Sequence, residues 1–171
     1  MMKTTMTIAA ACALAAGPAL ADHHSGTAHV AKQTIMPEDE QARAFLEQFG
    51  FSEAVIHGDT IYLSGVIAGP PGEGMTEEEA YDRAFGYIGT VLTRAGSGWD
   101  DVLDLTTFHV DIEASMPAFA AAKNKVIEAP FPAWTAIDVD RLYSADGLVE
   151  IKIVARVSRM APAQKAMPEG E

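Results

Sequence analysis

Residues 148–157 read as a strand in which Val149, Ile151, Ile153 and Ala155 all point one way. A two-residue period with one apolar side marks a strand buried on one face, so the rest of the chain must supply neighbouring strands and a cover. Two segments have the helical period for that cover. Thr76-Glu77-Glu78-Glu79 has capping-box spacing and opens a run in which Ala80, Ala84, Ile88, Val91, Leu92 and Ala95 recur on one side until Gly96. Further on, Ser115 is placed to cap a second helix, with Pro117 in its first turn and Phe119, Ala122, Val126 and Ile127 along one side until Pro130. Gly86 and Gly89 inside the first helix each cost about 1 kcal/mol against alanine. They mark either a close approach by another group or simple tolerance.

Further strands read at residues 53–57 and 60–68, joined by the turn Gly58-Asp59, at 102–112 and at 133–139. In residues 102–112, Phe108, Val110 and Ile112 form an apolar face opposite Thr107, His109 and Asp111. The order strand, strand, helix, strand, helix, strand, strand predicts an α+β domain in which both helices form one covering layer. An open sheet face carrying apolar residues predicts self-association. Ahead of the domain, Pro37 and three acids open a short amphipathic helix carrying Ala42, Phe45 and Leu46, ended by Gly50.

The ends read differently. Residues 1–21 have one basic residue, Lys3, an alanine-rich apolar stretch and Ala19-Leu20-Ala21, the pattern of a secretory signal cleaved before Asp22. The chain is therefore expected to be exported to the periplasm, with a loose N-terminal arm over residues 22–50 before and around the short helix, and a loose tail over 160–171. The apolar run is too short and too broken by Gly17 and Pro18 to span a bilayer, so no membrane anchor is expected. The single cysteine, Cys12, lies in that segment, and the remainder has neither a thiol nucleophile nor a disulfide. Asp+Glu outnumber Lys+Arg by 24 to 12, for a net charge of −12, and the basic residues are scattered singly. Phosphate backbones bind clustered Lys and Arg, so nucleic acid is not an expected partner.

Five pieces of the chain resemble a known family in order and spacing: Gly58-Asp59-Thr60-Ile61-Tyr62-Leu63-Ser64-Gly65, Val91-Leu92-Thr93-Arg94-Ala95-Gly96, Trp99-Asp100-Asp101-Val102, Phe131-Pro132-Ala133 and Val149-Glu150-Ile151. Together they resemble the RidA/YjgF family over residues 51–159. That resemblance implies a chorismate-mutase-like α+β fold, with one mixed sheet covered by two helices. It also implies a homotrimer closed around a central barrel, with small-molecule clefts between subunits. In the best-known branch those clefts hydrolyse enamines and imines derived from amino acids, without metal or organic cofactor. An arginine after Pro-Ala holds the substrate carboxylate, and a glutamate on the last strand positions water.

The match in this chain is partial. Glu150, Ser64 and Gly65 agree with the family pattern, while Trp134 stands where the arginine is expected and cannot make a forked ionic bond. Phe51 replaces a tyrosine, and Lys123, followed by Asn124, occupies a position often held by asparagine. By resemblance Glu150 is the candidate catalytic residue, and Phe51, Ser64, Gly65, Lys123 and Trp134 are the candidate ligand-binding residues. Each has a plainer reading as well. Glu150 could be a structural carboxylate, Lys123 a solvated surface group, and Trp134 an interface anchor in place of a pocket floor. Asp22-His23-His24 at a processed N-terminus would suit Cu(II) or Ni(II), but a polar arm is the commoner meaning and no metal site is assigned. The functional expectation is a RidA-like deaminase or hydrolase acting on a small reactive metabolite, or a binding or protein-protecting module of the same fold without turnover.

Overall fold

The structure, a computed structural model, describes residues 31–158, so the predicted signal, most of the arm, His23, His24, His29 and the tail lie outside the described residues. In chain order the elements are β1 (Gln33–Ile35), α1 (Glu40–Phe49), β2 (Ala54–His57), β3 (Thr60–Leu63), β4 (Val66–Ala68), α2 (Glu77–Arg94), β5 (Val102–His109), α3 (Ile112–Lys123), β6 (Ala133–Asp138) and β7 (Val149–Arg156). The strands form one mixed sheet in the order β1-β2-β3-β7-β5-β6, with β4 also on β7. Only β5 and β6 run parallel.

As its alternation demands, β7 sits mid-sheet with Val149, Ile151, Ile153 and Ala155 all buried. They pack with Ile61 and Leu105 beneath Tyr81, Phe85, Ile88, Val91 and Leu92 of α2 and Phe119 of α3. The start of α2 is the capping box read from the sequence, with the Thr76 hydroxyl accepting from Glu79 N–H and the Glu79 carboxylate accepting from Thr76 N–H at 2.7 Å. At Gly89 the floor is tight, because a Cβ would lie 3.3 Å from Trp99 Nε1. At Gly86 a Cβ would meet open space.

Three expectations are corrected. The fold is an α+β RidA-type fold, but its sheet is open, running from edge β1 to edge β6 without closure into a barrel, and it carries three α-helices instead of two. The chorismate-mutase-like barrel expectation therefore does not hold. The third helix, α1, is the short helix expected ahead of the domain, capped by Asp39 and ended by Gly50 in the left-handed conformation, and none of its residues is buried. Next, β5 presents the opposite face: Thr107 and His109 are completely buried, whereas Phe108 is only partly so and Val110 is exposed. Finally, α3 starts at Ile112 with Asp111 as its cap, the Asp111 carboxylate accepting from Ala114 N–H at 3.0 Å, which puts Ser115 and Pro117 inside the helix.

The inverted face of β5 is stable because every polar group on it is satisfied. Ser115 Oγ–H donates to Asp111 O at 2.6 Å, leaving Oγ to accept from His109 Nδ1–H at 2.7 Å. Trp134 Nε1–H donates to Thr107 Oγ1 at 3.1 Å, and Thr107 in turn donates to His109 Nε2 at 2.9 Å. Because the ends of this chain are a fixed donor and a fixed acceptor, it admits one tautomer, neutral His109 with its proton on Nδ1. The ring also meets Phe119 edge-on at 5.2 Å.

Burial holds the His109 imidazole below its ordinary pKa, with Asp138 pulling weakly the other way. Above about pH 6.5 both folded and unfolded chains carry neutral His109 and its contribution is complete. Below that, the unfolded chain takes up the proton first and stability falls, by at most about 1.4 kcal/mol per pH unit. The melting temperature is expected to be flat from pH 8 to 7 and to drop between pH 6.5 and 5, with the drop flattened in His109→Asn. Equal drops in both proteins would contradict this account.

Candidate functional site

The sequence-predicted residues fall into two groups on different parts of the sheet. The first is built around a register slip. Tyr62 pairs with Val154 and Val66 with Ile151, so four steps along β3 and β4 face three along β7. The extra residue is absorbed at Ser64-Gly65 as a bulge. Ser64 is tied down twice, its hydroxyl donating to Ser52 O at 2.6 Å and its N–H to Glu53 O at 2.8 Å. Gly65 leaves room for the Glu150 side chain, because a Cβ there would lie 1.8 Å from Glu150 Oε1 and 2.9 Å from Glu150 Cγ and would make that flexible side chain swing aside. The Glu150 side chain therefore lies across the bulge, on the open face, and makes no hydrogen bond or ion pair with any described residue.

Behind the bulge, a cavity of about 320 Å³ is lined by Phe45, Phe51, Ser64, Gly65, Tyr87 and Tyr143, among others. Phe45, Phe51 and Tyr143 are exposed, so the mouth of this cavity is aromatic, and Phe49 meets Phe45 at a tilt with ring centroids 4.8 Å apart on α1. Its inner wall holds a group that the sequence reading missed. Glu53, buried to 7% exposure, pairs with Arg94 at 2.5 Å and accepts a short hydrogen bond from the Tyr87 hydroxyl. Arg94 also donates to Met36 O at 2.8 Å, which anchors the chain just before α1. Burial, reinforced by the Glu53 carboxylate, pushes the Tyr87 hydroxyl up to about 12. Glu53 and Arg94 are 41 residues apart; nothing in either local pattern announces the pair.

The second group stands at the β6 edge. Lys123, the last residue of α3, is 9% exposed and places Nζ 5.0 Å from the Trp134 ring centroid and 6.0 Å from that of Phe131. Cation–π attraction to the two rings is the contact recorded for this ammonium, and no carboxylate or hydrogen-bond acceptor among the described residues meets it. Desolvation lowers its pKa. Two residues on, exposed Lys125 reaches Glu78 at 2.6 Å and Asp82 at 2.7 Å, and those partners raise its pKa. Trp134 is oriented by its bond to Thr107 and by Phe119 at 6.0 Å.

Lys123 and Trp134 are thus brought together, as are Ser64, Gly65 and Glu150, with Phe51 at the mouth of the adjoining cavity. One chain does not join the two sets: Trp134 pairs with Leu105 on the helix side of edge strand β6, and Glu150 lies on the open side of central β7. Among the described residues no group of three or more His, Cys, Asp or Glu side chains is placed to hold a metal ion. No helix among them is long and apolar enough to cross a membrane.

An open mixed sheet with a Ser-Gly bulge carrying a last-strand glutamate defines a class that comparison with known proteins makes explicit. The family model described as Endoribonuclease L-PSP matches residues 40–157, and the chain belongs to that family, the RidA/YjgF/L-PSP family. The RutC family protein YjgH of Escherichia coli K12 is 34% identical over 111 residues, covering 63% of this chain and 82% of that protein. A RutC family protein of Synechocystis, slr0709, is 32% identical over 111 residues, covering 61% of this chain and 84% of that one. The solved structure of protein YjgH aligns with a TM-score of 0.63 at 27% identity, covering 75% of this chain and 98% of that one. RidA from an Antarctic Psychrobacter, at 24% identity and a TM-score of 0.56 over 63% of this chain and 88% of that one, shares the fold.

The Glu53–Arg94–Tyr87 cluster generates a stability prediction. Arg94→Met strands a buried carboxylate with only the tyrosine to hold it, so the variant should lose about 3 kcal/mol in urea denaturation. A loss under about 1 kcal/mol would show that the pair is solvated and structurally idle.

Proposed function

We propose that the chain is an exported, periplasmic RidA-like hydrolase, cofactor-independent, that deaminates a small reactive enamine or imine in clefts between the copies of a homotrimer. The observation that carries this reading is the Glu150 carboxylate, unpaired and held across Gly65 on the open face of the sheet. A carboxylate in that state has free lone pairs to orient a water and accept its proton. The separation of the Glu150–Gly65 and Lys123–Trp134 corners within one chain supports a cleft that a second copy completes. Phe108, Ile137 and Tyr62 on the open or edge surfaces give that copy apolar area to cover.

In this reading Glu150 positions water, Ser64 fixes the bulge, and Phe51 and Trp134 wall the ligand. Lys123, with Nζ 5.0 Å from the Trp134 ring centroid, supplies the positive charge that the missing arginine would have carried. Export rests on the signal pattern of residues 1–21. The net charge of −12 argues against RNA as the substrate, whatever the family's description implies. A second reading, a ligand-binding or protein-protecting module without turnover, is favoured by one feature: Trp134 cannot grip a carboxylate as an arginine does.

The test is ammonia release from a 2-imino acid generated by an amino-acid oxidase. The unmodified protein should accelerate release, and Glu150→Gln should lose at least about 100-fold of that acceleration. Gly65→Ala, which pushes the carboxylate aside, should lose nearly as much while melting within a few degrees of the unmodified protein. No acceleration by the unmodified protein, with activity appearing in Trp134→Arg, would replace the hydrolase with the binding module.

A further inference from the structure

We infer that the cavity between α1 and the Ser64-Gly65 bulge takes the aromatic side chain of the ligand, so that Phe45, Leu46 and Tyr143 select a phenyl- or indole-bearing molecule over one with a methyl-sized side chain. The inference rests on the reading of the bulge as a ligand site, and it does not require turnover at Glu150.

Three observations point to it. First, the size fits. Benzene fills an apolar cavity of about 150 Å³, so a space of about 320 Å³ holds one or two fused rings and the carbon that links them to a reacting group. Second, the wall offers apolar contact. Phe45, Phe51, Leu63, Val91 and Tyr143 border the space, and its polar groups already have partners inside the chain. The Ser64 hydroxyl donates to Ser52 O, and the Glu53 carboxylate is held by Arg94 and Tyr87. No lysine or arginine lines the cavity, so the part of the ligand that enters it is uncharged.

Third, α1 serves this space and not the core. Phe45 and Leu46 lie on the apolar face of the helix, yet no α1 residue is buried and Phe45 is 45% exposed. The helix is nevertheless fixed on both sides. Arg94 donates to Met36 O at 2.8 Å ahead of it, and Phe51 N–H donates to Leu46 O at 3.1 Å behind it. Phe49 meets Tyr143 edge-on at 6.4 Å beside the mouth. An apolar face held still over an unfilled space is preorganised for an apolar group. Gly65 joins this space to the candidate chemistry, because it borders the cavity and is the residue that the Glu150 side chain crosses. A ligand with its ring in the cavity therefore has its linking carbon at the bulge.

The experiment titrates the purified full chain at pH 7 with phenylpyruvate and with pyruvate by isothermal calorimetry. These are the stable 2-oxo counterparts of imines with a benzyl and a methyl side chain. Moving a phenyl ring from water into apolar surroundings is worth roughly 10- to 100-fold in affinity, so phenylpyruvate should bind at least about tenfold more tightly than pyruvate. Phe45→Ala and Tyr143→Ala, both at exposed positions, should each weaken phenylpyruvate binding at least about threefold. Leu46→Trp, which fills the cavity from α1, should remove the preference, and Glu150→Gln should keep it. Tight phenylpyruvate binding without any ammonia release from imines would sink the hydrolase and leave this inference standing. Faster ammonia release from an alanine-derived imine than from a phenylalanine-derived one would do the reverse. Equal affinity for the two acids, no binding of phenylpyruvate, or a preference that survives Leu46→Trp overturns the inference.

Discussion

The sheet depends on a surplus residue in the β3–β4 edge opposite β7, matched on β7's other side by a second irregularity between Val102 and Asp104 of β5. Between Tyr62 and Val66 the chain takes one more step than its partner, and a one-residue slip in a ladder reverses which face every later side chain occupies. Absorbed at Ser64-Gly65, the slip leaves Ile61 and Leu63 of β3 and Ala68 of β4 all buried against the helices. The cost is a local break in pairing, repaired by the two Ser64 hydrogen bonds to the preceding segment. The return is a position without a Cβ beside the last strand, and the Glu150 side chain fills it. Register and candidate chemistry thus share one cause.

How much of this was legible in the sequence depends on whether a residue's fate is set locally. β7 and α2 were readable because periodicity alone determines their buried sides, and the α2 cap because its partners are three residues apart. The β5 face was misread for the opposite reason. Apolar Phe108 and Val110 look like core, but Thr107 and His109 can be buried because Ser115 and Trp134, from other elements, complete their hydrogen bonds. The bulge that splits residues 60–68 into β3 and β4 follows from pairing with a strand some ninety residues away, and the span itself carries no mark of it except Gly65. The same holds for the site: resemblance nominated Glu150, Ser64, Gly65, Lys123, Phe51 and Trp134, while the Glu53–Arg94–Tyr87 cluster is a product of tertiary packing.

The two corners differ in chemistry as well as place. At the bulge an unpaired carboxylate stands beside an aromatic-mouthed cavity; at the β6 edge the Lys123 ammonium stands against the Trp134 and Phe131 rings. Elsewhere Arg94, Lys125 and Arg156 each hold a carboxylate. Neither corner encloses a ligand by itself, which is why the account requires a neighbour to bring them together.

That requirement is tested most directly by the solution mass of the purified protein, measured by light scattering. The account predicts a particle of three chains, stable to dilution. A monomer would contradict it, because Glu150 and Lys123 would then never face the same molecule.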